Sequence, residues 1–213
     1  MNITKYGHCC LLIEIEGKRI LTDPGSFSTE YEHLTAIDIV LITHEHGDHC
    51  HTESIAHILD INPQATVVTN SSVQKLLSDL GITATILEGE AQAVVADIAL
   101  QAFDGKHVEI YEDYGQVQNT GYLIANDFFY PGDAYTVPNV PVKILALPVA
   151  GPWCKVSDAI SYALAVKPKI AFPVHDATLT EVGKSVTYPH FARALKEKGV
   201  EFLILEKGKS TEF

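Results

Sequence analysis

The chain has 213 residues, 46% hydrophobic and 20% charged, a composition that builds a packed core and excludes a disordered chain. With 15 basic against 27 acidic residues its formal net charge is −12, so no nucleic acid partner is expected, because phosphates need a basic face. The longest apolar runs, Ile37–Ile42 and Val140–Ala150, are too short or too broken to span a bilayer. The N-terminus shows no charged segment followed by an apolar one; no membrane association and a cytoplasmic location are therefore expected.

The first 23 residues read as antiparallel strands. Cys10–Ile15 partly alternates, Glu16-Gly17-Lys18 turns, and Arg19–Thr22 returns into Asp23-Pro24-Gly25, which breaks the strand. After a Ser/Thr/Tyr-rich loop, Ile37–Thr43 reads as a buried strand. Directly behind it come His44, His46, Asp48 and His49, spaced H-x-H-x-D-H. Imidazole and carboxylate ligands in one short loop suit a divalent metal, and open α/β sheets hold ligands at the carboxyl ends of their strands. A helix over 53–60, a strand Thr66–Thr69 and a helix capped by Asn70 or Ser71 and running to Leu80 follow.

From Ala84 the pattern turns to β, with strands at Ala84–Leu87, Ala93–Val95, Ile98–Phe103, Thr120–Ala125 and Phe128–Tyr130. The last third alternates: strand Lys143–Leu147, helix Ser157–Val166, strand Ile170–Pro173, helix Tyr188–Lys198, strand Glu201–Leu205. Two mixed sheets face to face with helices outside satisfy this order. Three metal-competent side chains stand just beyond strand ends, each shortly after a Gly or Pro: His107, Asp133 and His175. The four cysteines, Cys9, Cys10, Cys50 and Cys154, form no C-x-x-C pair and read as reduced thiols; Cys50, beside His49, is the only one in a site neighbourhood, and even so reads best as a small buried filler.

These residues, from Asp23 through His175, resemble the metallo-β-lactamase superfamily. The resemblance implies an α/β fold, a four-layer αβ/βα sandwich formed by a single domain over residues 1–213, with a metal pair between the sheets. It implies His44, His46 and His107 as ligands of one ion, Asp48, His49 and His175 of the second, and Asp133 as the bridge. Asp23 matches an aspartate that supports a ligand imidazole from behind. Tyr6-Gly7-His8 and Gly151-Pro152-Trp153-Cys154-Lys155 are similar to the UlaG-like branch, which includes L-ascorbate-6-phosphate lactonase. Asp133 stands where the β-lactamases themselves carry cysteine, and the short stretch after His175 leaves no room for a helical substrate domain or a flavin domain.

The resemblance implies a metal-dependent hydrolase. Two divalent ions roughly 3.5–4 Å apart can share a water and lower its pKa toward about 7. Zinc comes first, with manganese and iron compatible. Asp48 is expected to relay a proton, and His8 to hold an anionic or oxyanionic group. Trp153, Lys106 and Lys155 are candidate walls of the substrate pocket, and Asn119 a brace for the loop carrying His107. The expected partner is a small, anionic molecule, a lactone or carboxylic ester first. A phosphodiester, a non-catalytic metal-binding sensor module and a homo-oligomer all stay open.

Overall fold

The computed structural model describes residues 1–213 and orders two seven-stranded mixed sheets with four helices. The chain runs β1 (Asn2–Lys5), β2 (Leu11–Ile15), β3 (Lys18–Thr22), β4 (Ile39–Leu41), α1 (Thr52–Ile61), β5 (Thr66–Thr69), α2 (Ser71–Ser78) and β6 (Thr85–Ile86). It continues through β7 (Gln92–Val95), β8 (Ile98–Lys106), β9 (Gln118–Ile124), β10 (Phe128–Tyr130), β11 (Ile144–Pro148) and α3 (Val156–Val166). Last come β12 (Ile170–Val174), α4 (Glu181–Lys196), β13 (Glu201–Phe202) and β14 (Ser210–Glu212). The first sheet has the order β14-β1-β2-β3-β4-β5-β6 and the second β13-β12-β11-β10-β9-β8-β7. In each, the hairpin-linked strands pair antiparallel and the helix-linked ones parallel.

The two-residue period of the strands explains the four layers. Leu11 and Ile13 face the second sheet and join Ile39, Leu41, Phe128, Tyr130 and Phe172 in the central core. Leu12, one residue out of phase, turns outward to Ile55 and Ile58 of α1 and Leu77 of α2. The second sheet does the same, with Phe129 and Leu145 facing Ala159 of α3 and Phe191 of α4. The αβ/βα sandwich with helices outside is therefore present. No helix is long and apolar enough to cross a membrane.

The structure corrects several boundaries. The expected strand Ile37–Thr43 pairs only over Ile39–Leu41, because Ile37 N–H bonds the Asn62 side chain and Thr43 N–H bonds Asp23 instead of a neighbouring strand. The expected strand Glu201–Leu205 ends at Phe202. The last helix starts at Glu181 rather than Tyr188: the Thr180 hydroxyl caps it by accepting from Gly183 N–H, and Pro189 is accommodated on its exposed face. β1 and β14, joined at Asn2↔Glu212, bring the chain ends together.

Candidate metal centre

Every polar side chain of the centre leaves a strand end or the loop behind it, and all converge between the two sheets. The ligand atoms of His44, His46 and His107 lie within 4.8 Å of one another, as do those of His8, Asp48, His49 and His175. Asp133 stands between the groups, with Oδ2 3.3 Å from His107 Nε2 and 2.8 Å from His175 Nε2, and Oδ1 3.3 Å from His49 Nε2. The loop positions depend on tight local turns. Gly25 runs so close to the Asp48 carbonyl that a Cβ would overlap it, and Gly132, at φ +64°, leaves no space for one beside Asn119 and Thr43. His175 (φ +58°) and Asp23 (φ +35°) hold left-handed backbone without being glycine, strain of a kind that collects at functional sites.

The hydrogen bonds behind the rings sort the imidazoles. His107 Nδ1 faces the Val108 carbonyl at 2.7 Å, and His175 Nδ1 faces the Ala150 carbonyl at 2.7 Å. Both carbonyls only accept, so Nδ1 carries the proton and Nε2 is the ring atom turned inward, the one that would face a cation. His49 Nδ1 donates to Asp23 Oδ2 at 2.7 Å. Thr43 Oγ1 gives its proton to Asp23 Oδ2 at 2.7 Å, which leaves it to accept from His44 Nδ1 at 3.0 Å. His8 is the reverse case: its Nδ1 accepts from Ala177 N–H at 3.2 Å, so Nε2 carries the proton and donates to Asp48 Oδ2 at 3.2 Å.

The donor set fits a bound cation. Nε2 of His44, His49 and His175 and Oδ1 of Asp133 are buried and have no hydrogen-bond partner. Buried polar atoms left without a partner in a native centre call for a ligand to satisfy them. Charge points the same way. Burial holds the His44 and His46 rings below the usual imidazole range and hence neutral. Burial also pulls on His49 and His175, but the Asp133 carboxylate beside them outweighs it and raises both. The buried carboxylates thus demand positive charge, which divalent ions would supply.

Asp23 anchors the loop from behind. Its Oδ1 accepts Thr43 N–H at 2.8 Å, and its Oδ2 also takes the Tyr130 hydroxyl at 2.8 Å. Asn119 braces the loop of Asp133 rather than that of His107: it donates to the Pro131 carbonyl and accepts Asp133 N–H. Trp153 is buried beside the centre, its ring 5.6 Å from that of His107 and 5.2 Å from that of His175. Lys106 and Lys155 are not brought to it; both are exposed, Lys106 in a side crevice with Asp113 and Gln116. Cys50 lies in the outer core against α1, whereas Cys9 stands beside His49 and Asp133. Nothing in the sequence around Cys9 marks it, because strand pairing alone carries it there. Tyr130 was missed for the same reason.

The profile of the Beta-lactamase superfamily domain matches residues 2–175. Protein Rv0786c of Mycobacterium tuberculosis is 31% identical, covering 100% of both chains. A UPF0173 metal-dependent hydrolase of Archaeoglobus fulgidus is 25% identical over 100% of this chain and 99% of its own. Among solved structures, Igni18, a metallo hydrolase from Ignicoccus hospitalis, superposes with a TM-score of 0.78 at 18% identity, covering 100% of this chain and 98% of that one.

Proposed function

This chain belongs to the metallo-β-lactamase superfamily, among its UPF0173 metal-dependent hydrolases, and on that premise we propose that it hydrolyses a small lactone or carboxylic ester bearing negative charge. In this reading His44, His46 and His107 hold one divalent ion and Asp48, His49 and His175 a second, with Asp133 between them and zinc the first choice. The observation that carries it is the set of buried atoms without a hydrogen-bond partner, Nε2 of His44, His49 and His175 and Oδ1 of Asp133. Ions bound there would polarise the substrate carbonyl and make water a nucleophile at neutral pH.

The side chains then have distinct tasks. Asp48, whose side chain is 21% exposed, meets the substrate. With Oδ2 held by His8, its Oδ1 takes the proton of the attacking water and returns it to the leaving oxygen. Trp153 covers the His107–His175 side and keeps bulk water off the reacting carbon. Placement near the lactonase-related, UlaG-like branch is supported by Tyr6-Gly7-His8 and Gly151–Lys155, whose His8 and Trp153 both border the centre.

Two observations order the alternatives. Every ion pair inside the centre is between His and Asp, and no lysine or arginine enters it, which favours a neutral ester carbonyl as the reacting group over a charged phosphodiester, with the substrate's negative charge carried away from that carbonyl. His46 and Asp48 are partly exposed, so the centre is open to solvent, unlike a closed structural site. The test is turnover of p-nitrophenyl acetate, a γ-lactone and bis(p-nitrophenyl) phosphate by zinc- or manganese-loaded protein, with Asp133→Ala as control. Metal-dependent ester or lactone cleavage that disappears in the variant is expected. Faster cleavage of the phosphodiester would make the protein a phosphodiesterase. No cleavage by a protein shown to hold metal would favour a sensor module.

A further inference from the structure

Against the outer side of the His8 wall lies a groove of about 920 Å³, separate from the metal centre. One stripe of α4 forms its length: Glu181, Lys184, Ser185, Tyr188, Pro189 and Ala192 recur at helical spacing on a single face. Phe27, Phe202, Ile204 and Leu205 line it too, and Phe27 and Ile204 are 52% and 64% exposed. Apolar side chains left open in a concave surface mark a ligand site.

Its polar groups are few and placed. On the floor, Lys5 Nζ donates to the Pro173 carbonyl at 2.8 Å and to Asp176 Oδ2 at 2.7 Å, and the Tyr188 hydroxyl donates to the same oxygen at 2.5 Å. An ammonium has three donors, so one N–H of this buried Lys5 remains for a ligand. At the rim, Lys184 is held only by an exposed Glu181 and Lys207 by the Thr29 hydroxyl and Glu30, pairs weak enough to turn toward an anion. Only the His8 wall divides the groove from the centre. Gly7 and Ala177 line it on either side of His8, Ala177 N–H bonds the His8 ring, and the Phe27 ring stands edge-on to that ring at 5.4 Å.

We propose that this groove binds the apolar chain of a single-chain amphiphilic anion, the chain lying along Phe27, Pro189, Ala192 and Ile204 with the anionic group at Lys184 and Lys207. A second copy of the protein would have to strip water from those charged residues, whereas an amphiphile covers the apolar wall and answers the lysines at once. Resting on the hydrolase reading, the occupant is the carboxylate that hydrolysis releases, lodged on the far side of the His8 wall.

The test is calorimetric titration of the purified protein with hexanoate, octanoate and decanoate, and with decyl phosphate and decanol. Affinity should tighten about fourfold per added methylene, the worth of burying one CH₂ group. Decanol should bind at least roughly tenfold more weakly than decanoate, and Lys184→Glu with Lys207→Glu should erase that difference. Decyl phosphate binding as decanoate does would identify a general anion site, and weaker binding a carboxylate site; both uphold the groove. Ala192→Trp, or Ser185→Trp should the first fail to fold, fills the groove and should abolish the chain-length dependence. Asp133→Ala should bind decanoate like the parent, so the groove can be verified even if no hydrolysis is found. Unchanged chain-length dependence in the filled variants, or loss of decanoate binding in Asp133→Ala, would overturn the proposal. So would a dimer in sedimentation that the filled variants dissociate.

Discussion

His8 and Asp48 share one proton in a fixed direction: Ala177 N–H occupies His8 Nδ1, so His8 Nε2–H points at Asp48 Oδ2, 3.2 Å away. A ring held this way has no lone pair to offer a metal, in contrast to His107 and His175, whose Nδ1–H is spent on a carbonyl. Burial keeps the His8 pKa below its usual value, so the ring is an uncharged donor at neutral pH. His8→Ala should therefore retain its metal while kcat falls roughly 10²-fold, the low end of what a positioned proton-transfer group contributes. Metal content by atomic emission together with ester turnover reads both quantities. Loss of metal in step with turnover would make His8 a ligand.

Asp133 is the residue both halves of the centre depend on, lying 2.8 Å from His175 Nε2 and 3.3 Å from those of His49 and His107. A cation bound to the folded state alone stabilises it, by about 2.7 kcal/mol at a hundredfold excess over Kd. For a chain of this length, chelation should then lower Tm by roughly 5–10 °C. Asp133→Ala should lack this response, since it lacks the site. Thermal melts of both proteins with and without chelator decide it, and equal shifts would remove Asp133 from the ligand set.

What could be read beforehand follows from how local each signal is. His44, His46, Asp48 and His49 lie on one loop, so their spacing alone exposes the chemistry. The layers were legible because alternation along residues such as Leu11, Leu12 and Ile13 is itself the burial pattern. The α4 start was hidden because Gly183 and Pro189 look like breaks, although the Thr180 cap and the packing of Tyr188 and Phe191 hold the helix. Lys5, Asp176 and Tyr188 meet across the whole chain, as do Asn2 and Glu212. No periodicity in an ordinary lysine or tyrosine announces such a partner.

Asp23 gathers Thr43 N–H, the Thr43 hydroxyl, His49 Nδ1–H and the Tyr130 hydroxyl on one buried carboxylate. Asp23→Ala strands several of these donors away from water, at about 1–3 kcal/mol for each that finds no substitute. It also frees the His49 ring to rotate, and loss of such a supporting partner typically costs 10–100-fold in metal affinity. The expected variant is destabilised by about 3–5 kcal/mol in urea and binds zinc at least roughly tenfold more weakly. Unchanged zinc affinity in a destabilised protein would confine Asp23 to folding.

Alkaline pH should weaken the fold. Burial pushes the Cys10 thiol well above its ordinary 9.0 and lifts the Tyr162 phenol above 10.0. Both groups stay protonated in the folded protein at a pH where the unfolded chain has released their protons. The unfolded state then binds fewer protons than the native one, so stability is full below about pH 9 and declines above it, by about 1.4 kcal/mol per pH unit for each such group. Cys10 acts first, because its unfolded pKa is the lower. Urea unfolding at pH 8, 9 and 10 should show the decline. Cys10→Ala, less stable at pH 8 through the small cavity it leaves, should show a decline shallower by up to one proton between pH 9 and 10. A stability that holds steady or rises over that interval would mean the folded state releases the thiol proton as readily as the unfolded chain does.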